Sequence, residues 1–224
     1  MNTDVVMLVK VLLAAGFIVY VARQCRKPSS AVGRMLARGM NRSHAGLTRW
    51  AMSHVRIEPR LTMLDVGCGG GGTIEMLAGM TAEGRVYGID YSAASVAVAR
   101  DRNRRLIEQD RVRIEKGSVA SLPFPDHSFD LVTAIETHYY WPDLAHDVRE
   151  VMRVLKPGGT FAIVAETYRG RRHDWLYRPA MTLLLRAAYL TPEEHRRLLT
   201  DAGYGDVEVF EEKAHGWICA IGHA

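Results

Sequence analysis

Cysteine is scarce in this sequence: only Cys25, Cys68 and Cys219 occur among its 224 residues, and they lie far apart. The wide spacing excludes a disulfide scaffold, and no Cys-x-x-Cys pair or cluster of cysteine with histidine offers a zinc site. We therefore predict no metal site and a reducing compartment. Internal repeats and low-complexity tracts are also absent. The content of 48% hydrophobic and 24% charged residues is typical of a folded globular chain.

Acidic residues are nearly absent from the first quarter of the chain. Residues 1–60 contain ten Lys and Arg but only two acidic residues, whereas residues 61–224 contain 19 Lys and Arg and 23 acidic residues. The net charge of +4 therefore comes from the N-terminal quarter, and the remainder is mildly acidic. Because a nucleic-acid-binding body needs a basic face of its own, we predict no nucleic-acid partner.

One long hydrophobic run is present, at residues 5–22, and Lys10 is its only charged residue. As a helix it would be about 27 Å long, close to the thickness of a bilayer core. A cleaved signal peptide is disfavoured, because no positive charge precedes the run and no clear A-x-A site follows it. Three interpretations stay open: a spanning anchor, a helix lying on the membrane surface, or a helix packed on the domain. The basic residues that follow the run predict that the rest of the chain is cytoplasmic and tethered through residues 1–27.

Residues 28–60 are interpreted as a linker with lead-in helices, and residues 61–224 as one domain. In this domain short apolar runs alternate with helical patterns, which predicts a parallel sheet with helices on both faces. The predicted strands are Leu61–Val66, Arg85–Ile89, Val112–Lys116, Phe129–Ile135, Thr160–Ala165, Val207–Phe210 and Trp217–Ile221. The last two follow each other closely and predict a hairpin at the sheet edge.

A glycine-rich loop after the first strand is the strongest motif. Its sequence is Asp65-Val-Gly-Cys-Gly-Gly-Gly-Gly72, and Asp90 ends the next strand. The glycines allow a tight turn and close approach of a ligand to the backbone, and N–H groups at the start of a helix can receive an anionic group. A carboxylate at the end of the second strand can accept both hydrogen bonds of a ribose diol. The two features together predict a nucleoside-containing cofactor.

Two cofactors fit this pattern. The spacing Gly67-x-Gly69-x-x-Gly72 satisfies the fingerprint of nicotinamide dinucleotides, and therefore of an NAD(P)-dependent oxidoreductase. Asp65 favours the other choice, since a carboxylate so close to the loop would repel a pyrophosphate but hold an ammonium group. S-adenosylmethionine carries such an ammonium, together with a carboxylate and a ribose.

Four motifs in order give the sequence a family resemblance. They are Asp65-x-Gly-x-Gly-x-Gly, the acidic end of strand two, Leu122-Pro-Phe-Pro-Asp-His-Ser-Phe-Asp-Leu-Val132, and Val154-Leu-Lys-Pro-Gly-Gly159. Over about residues 45–223 the chain resembles class I S-adenosylmethionine-dependent methyltransferases, and in particular the ubiquinone/menaquinone-biosynthesis branch, methyltransferase type 11. This resemblance implies an α/β, Rossmann-like, seven-stranded and mostly parallel sheet in the order 3-2-1-4-5-7-6, with helices on both faces.

The resemblance also implies S-adenosylmethionine as cofactor and a set of residues that contact it. Asp65 and the glycines would face its methionine part, Asp90 its ribose, and Tyr91 its adenine. The family usually has Gly-Asp-Ala after strand three; here Gly117-Ser-Val takes its place, so the adenine contact passes to Ser118 and Val119. The full set implied is Asp65, Gly67, Cys68, Gly69, Asp90, Tyr91, Ser92, Ser118, Val119, Glu136 and Thr137.

The loop after strand four predicts the acceptor side, because parallel sheets bind ligands beyond the carboxyl ends of their strands. His138 is the candidate general base, with a structural histidine as the alternative, and Tyr139 is a candidate pocket wall. Residues 181–190 are predicted to form an apolar helix above the pocket. The predicted function is methyl transfer to a small acceptor, with hydrophobic and membrane-resident molecules as candidates. The alternatives are an NAD(P)-dependent oxidoreductase and a non-catalytic S-adenosylmethionine-binding module.

Overall fold

The structure, a computed structural model, describes residues 43–224 without a gap. Of the preceding residues it describes 7, 10, 13, 16, 17, 19–21, 23, 24, 28–30, 32–35 and 39. Much of the hydrophobic run at residues 5–22 therefore lies outside the described residues. Among the described residues, no helix combines the length and the apolar character that a bilayer crossing requires. The predicted membrane segment stays a prediction.

A seven-stranded sheet forms the centre of the molecule, in the order β3-β2-β1-β4-β5-β7-β6. Neighbouring strands are parallel except for β7, which runs antiparallel to both β5 and β6. The strand order and the edge hairpin predicted from the sequence are both confirmed. The strands are β1 Thr62–Val66, β2 Arg85–Asp90, β3 Val112–Lys116, β4 Phe129–Ile135, β5 Leu155–Ala165, β6 Gly205–Glu212 and β7 Trp217–His223.

Helices cover both faces of this sheet. They are α1 Ala45–Met52, α2 Gly72–Met80, α3 Ala93–Arg102, α4 Arg104–Glu108, α5 Leu144–Val154, α6 Asp174–Pro179 and α7 Pro192–Asp201. Alternate residues of a strand enter opposite cores: Met63 packs in the core with α1, α2 and α3, and Leu64 packs in the core with α5 and α7. A strand buried on both faces reads as a continuous apolar run, which is why the sequence reveals these strands.

Helix α1 belongs to the core of this body, although it precedes the predicted domain boundary at residue 61. Leu47 and Ala51 are buried in the same core as α2 and α3. Trp50 packs against Trp217 of β7, with 5.9 Å between ring centroids. The residue that caps α1, His44, is thereby fixed near the carboxyl end of β5.

Asn103 separates α3 from α4, and its side-chain amide donates to the carbonyls of Gly71 and Ala99 at 3.0 and 2.9 Å. This asparagine therefore ties the end of α3 to the glycine loop. The apolar helix expected over residues 181–190 is replaced by a π-helical turn at Ala180–Leu184 followed by irregular chain.

Candidate functional site

A cavity of about 780 Å³ opens at the carboxyl ends of the parallel strands. Its lining comes from the loops after β1, β2, β3, β4 and β5 and from the start of α1. Small-molecule and cofactor sites in proteins commonly enclose about 300–1,000 Å³. The cavity is therefore large enough for a nucleoside cofactor and a second small molecule side by side.

The glycine loop forms the floor of this cavity, and its backbone needs glycine. Gly67 has φ +77°, and a Cβ built on it would lie 2.0 Å from Oγ1 of Thr137. The N–H groups of Gly67 and Cys68 donate to the carbonyl of Ile89, at 2.7 and 3.0 Å. These two donors therefore fix the loop and are engaged within the protein. Helix α2 then begins after Gly71 without a side-chain cap, and Gly72 and Thr73 of its first turn line the cavity.

Asp90 links the end of β2 to the glycine loop. Its carboxylate accepts hydrogen bonds from the N–H groups of Ser92 at 2.8 Å and Gly69 at 2.9 Å. Burial raises the pKa of Asp90 and these two hydrogen bonds oppose the rise. The carboxylate lines the cavity in a fixed orientation, as required of an acceptor for a ligand diol.

Asp65 lies deeper, at the end of β1, where its side chain is 3% exposed. Thr133 on the neighbouring strand donates its hydroxyl to the Asp65 carboxylate at 2.8 Å. Burial raises the pKa of Asp65 to about 7, with a smaller contribution of the same sign from Asp90 and an opposing one from Thr133. Of the described residues, Thr133 and Asp90 affect the pKa of this carboxylate, and neither is a cation. A cationic group bound in the cavity would therefore stabilise its ionised form.

Of the eleven residues predicted to contact the cofactor, ten line this cavity. They are Asp65, Gly67, Cys68, Gly69, Asp90, Tyr91, Ser118, Val119, Glu136 and Thr137. Ser92 lies outside the lining. Its hydroxyl accepts from the N–H of Ser95 and donates to the carbonyl of Pro28, so it caps α3 rather than facing the cavity.

The far half of the cavity, over β4 and β5, is lined mainly by aromatic and apolar side chains. Tyr139, Tyr140 and Trp141 follow β4, and Met181 and Leu185 approach from the segment after α6. The predicted place of Tyr139 in the pocket wall agrees with this lining. The π-helical turn brings Met181 to the cavity even though the predicted helix does not form.

The predicted role of His138 as a base does not fit its position. The side chain is 1% exposed and is absent from the residues that line the cavity. Its Nε2 lies 3.3 Å from Nε2 of His195 on α7. Burial lowers the pKa of His138 well below its usual value, and so does the neighbouring His195. His138 lies in the short helical turn after β4 and is buried within the protein, as expected of the structural alternative.

Two ionisable residues that the sequence analysis missed line the far half of the cavity: His44, before α1, and Glu166, after β5. One signal in the sequence could have identified Glu166. The dipeptide Glu-Thr follows β4 at residues 136–137 and follows β5 at residues 166–167, so both strands carry it at the same edge of the sheet. No local pattern identifies His44, which reaches the cavity through the packing of α1.

The comparisons with known proteins agree with this geometry. Residues 64–163 match a family model described as "Methyltransferase domain". The matched segment begins within β1 and ends within β5, so it contains the glycine loop, the end of β2 and the loop after β4.

Two curated relatives each match about half of the chain. The 27-O-demethylrifamycin SV methyltransferase of Amycolatopsis mediterranei is 40% identical over 101 residues, which are 45% of this chain and 37% of that protein. The demethylmenaquinone methyltransferase of Lactiplantibacillus plantarum is 34% identical over 117 residues, which are 52% of this chain and 49% of that protein. The chain thus spans less than half the length of either relative.

Solved structures share the fold. The crystal structure of a SAM-dependent methyltransferase from Aquifex aeolicus superposes with a TM-score of 0.68 at 21% sequence identity. The match covers 85% of this chain and 97% of that one. At this identity the likeness establishes the fold, and the residues around the cavity must supply the argument for function.

Proposed function

We propose that this chain transfers a methyl group from S-adenosylmethionine to a small, largely apolar acceptor, since residues 64–163 match a family model described as "Methyltransferase domain". A single observation carries the proposal. One cavity joins a polar half, with a glycine loop and two buried carboxylates, to an aromatic and apolar half. The first half fits the cofactor and the second fits the acceptor.

S-adenosylmethionine, when bound, supplies an electrophilic methyl group on a sulfonium, so the protein has mainly to orient two reactants and exclude water. The described residues fit this cofactor. Asp65 would hold its ammonium group and Asp90 would accept from its ribose hydroxyls. Tyr91, Ser118 and Val119 line the same cavity and would contact its adenine.

The far half of the cavity supports an acceptor with a large apolar surface. Tyr139, Tyr140 and Trp141 provide flat rings against which an aromatic or polyene acceptor can pack. The two relatives described above are named as methyltransferases of a rifamycin and of a menaquinone precursor, and neither is an oxidoreductase. Their names favour methyl transfer to a small molecule over the NAD(P)-dependent alternative and over a non-catalytic binding module.

Incubation with S-adenosylmethionine labelled in its methyl group tests this proposal. The protein would be added to a lysate, which is then separated into lipid, water-soluble small-molecule and protein fractions. We expect label in the lipid or small-molecule fraction, and no such label with a variant that cannot bind the cofactor. Label confined to the protein fraction would overturn the small-molecule acceptor, and label in no fraction would contradict methyl transfer.

We further propose that the chain meets a membrane through residues 5–22, with its catalytic domain on the cytoplasmic side. The apolar sequence of this run supports the proposal, together with the exposure of Met7, Leu13 and Phe17. A second apolar patch supports it independently. Trp175 and Leu183, next to the segment that contributes Met181 to the cavity, are 70% and 78% exposed. Such side chains are suited to the interfacial region of a bilayer.

Flotation of the full chain with phospholipid vesicles tests this membrane contact. We expect the protein to rise with the vesicles and removal of residues 1–27 to reduce the floated fraction severalfold. Substitution of Trp175 and Leu183 by serine should reduce it further. Substitution of Leu106 and Ile107 serves as a control for general loss of folding. These two side chains are partly buried against the core, on the opposite part of the sheet. A full chain that stays at the bottom of the gradient would contradict the proposal.

A further inference from the structure

Three potential metal ligands meet in the far half of the cavity, where the sequence predicted none. They come from three separate elements: His44 precedes α1, Glu136 follows β4, and Glu166 follows β5. One ligand atom of each lies within 4.8 Å of the other two, and Nε2 of His44 is 3.9 Å from Oε2 of Glu166. All three side chains line the cavity.

The cluster extends away from the cofactor half, which it borders through Glu136, a member of the predicted cofactor set. Asp65 and Asp90 lie at the ends of β1 and β2, whereas the cluster lies at the ends of β4 and β5. Because β4 stands between β1 and β5 in the sheet, Glu166 is at least two strands from Asp65. A group bound by the cluster would therefore face the acceptor.

Two uncharged hydrogen-bond donors hold the Glu136 carboxylate in place. The Tyr139 hydroxyl donates to Oε1 of Glu136 at 2.7 Å, and the N–H of Glu166 donates to the same oxygen. Hydrogen bonds of this kind orient carboxylates that bind metal ions in proteins. Tyr139 would therefore act as a positioning residue for Glu136.

The cluster carries an electrostatic cost that a cation would relieve. Glu136 and Glu166 each contribute one carboxylate oxygen to the cluster, and these oxygens lie within 4.8 Å of each other. Two carboxylates close together in a partly enclosed cavity repel each other, and a bound cation would remove this repulsion.

We propose that His44, Glu136 and Glu166 bind a divalent first-row transition metal ion at the acceptor end of the cavity. One imidazole and two carboxylates suit zinc or manganese. If each ligand atom lies about 2.1 Å from the ion, two ligand atoms can be at most about 4.2 Å apart. The half-exposed side chain of Glu166 can rotate to bring its carboxylate within this distance of the other ligands. The site itself depends on these three residues only.

The consequence for the acceptor rests on the proposed methyl transfer. Three protein ligands leave positions on the ion for small molecules, as in catalytic metal sites generally. Two neighbouring oxygen atoms on an acceptor, such as adjacent hydroxyl and carbonyl groups, would fill two of these positions. The inferred substrate class is therefore an apolar ring system that carries vicinal oxygen atoms.

Titration of the metal-stripped full chain with MnCl₂, followed by the electron paramagnetic resonance signal of free Mn²⁺, tests the site. We expect one ion to bind per chain. Glu166→Gln, His44→Gln and Glu136→Gln should each weaken binding by at least about tenfold, the range found when supporting groups of metal sites are removed. Glu166 is half-exposed, so its variant remains informative even if Glu136→Gln does not fold.

The pair His215 and Glu212 provides the matched control. Nδ1 of His215 lies 2.8 Å from the Glu212 carboxylate, on the surface and outside the cavity lining. His215→Gln and Glu212→Gln should leave Mn²⁺ binding unchanged; equal weakening by these variants, or no stoichiometric binding by the wild type, would overturn the site. Binding of S-adenosylhomocysteine, measured on the same samples by calorimetry, distinguishes the two proposals. If S-adenosylhomocysteine binds and Mn²⁺ does not, only the metal site is contradicted. If Mn²⁺ binds and S-adenosylhomocysteine does not, the proposed function is contradicted.

Discussion

Asp90→Ala is expected to weaken binding of S-adenosylhomocysteine by at least about 100-fold. The variant removes the acceptor for two ribose hydroxyls, and a hydrogen bond to a charged group contributes about 1.5–3 kcal/mol. Loss of two such bonds corresponds to roughly 3–6 kcal/mol, or a factor of about 100–20,000 in the dissociation constant. Isothermal titration calorimetry at constant pH would measure this change.

The same carboxylate also holds the N–H groups of Ser92 and Gly69, so a control must separate ligand contact from loop structure. Asp90→Asn retains one acceptor oxygen and should fall between the wild type and Asp90→Ala. Asp101→Ala, an exposed carboxylate on α3, should leave the dissociation constant unchanged. Unaltered affinity in a folded Asp90→Ala protein would contradict the predicted ribose contact.

Asp65 is expected to make cofactor binding depend on pH below neutrality. Burial raises its pKa to about 7, and the bound ammonium group of the ligand favours the ionised form. Binding below pH 7 must therefore release a proton from Asp65. The affinity for S-adenosylhomocysteine should be about tenfold weaker at pH 5.5 than at pH 7, because only the ionised fraction binds well. Calorimetry at the two pH values gives the ratio.

Asp65→Asn keeps the shape of the side chain and its contact with Thr133 but carries no charge. We expect this variant to bind about 30-fold or more weakly at pH 7, as the loss of a charged hydrogen bond of about 2 kcal/mol implies. The ratio of the dissociation constants at pH 5.5 and pH 7 should fall toward one. The pKa of Asp90 is raised as well, so any remaining dependence in Asp65→Asn measures that second carboxylate. A ratio equal to that of the wild type would contradict the ammonium contact.

The raised pKa of Asp65 also affects the free energy of unfolding without ligand. The unfolded chain loses this proton near the usual value of 3.8, whereas the folded protein keeps it until about pH 7. Folding then binds a proton in between, so this group makes the protein less stable as pH rises through that window. The cofactor should offset this loss, since it neutralises the carboxylate that burial penalises.

The fold and the cofactor half were determined by the sequence alone. Buried strands are continuous apolar runs, and the glycine loop must contain glycine because its backbone has positive φ at Gly67 and leaves no space for a Cβ. Asp65 and Asp90 each lie within a few residues of this loop or of a strand end. Their positions therefore follow from local chain geometry, and sequence motifs record that geometry.

Only the tertiary structure decided the acceptor half. His138 and Glu136 are two residues apart, yet the turn after β4 buries one against His195 and directs the other to the cavity. His44 and Glu166 meet there because α1 packs on the sheet beside β5. Burial and long-range packing determine which side chains converge. These depend on elements far apart in the chain. The repeated Glu-Thr marks Glu136 and Glu166 at two strand ends, but no local pattern in the sequence brings His44 to them.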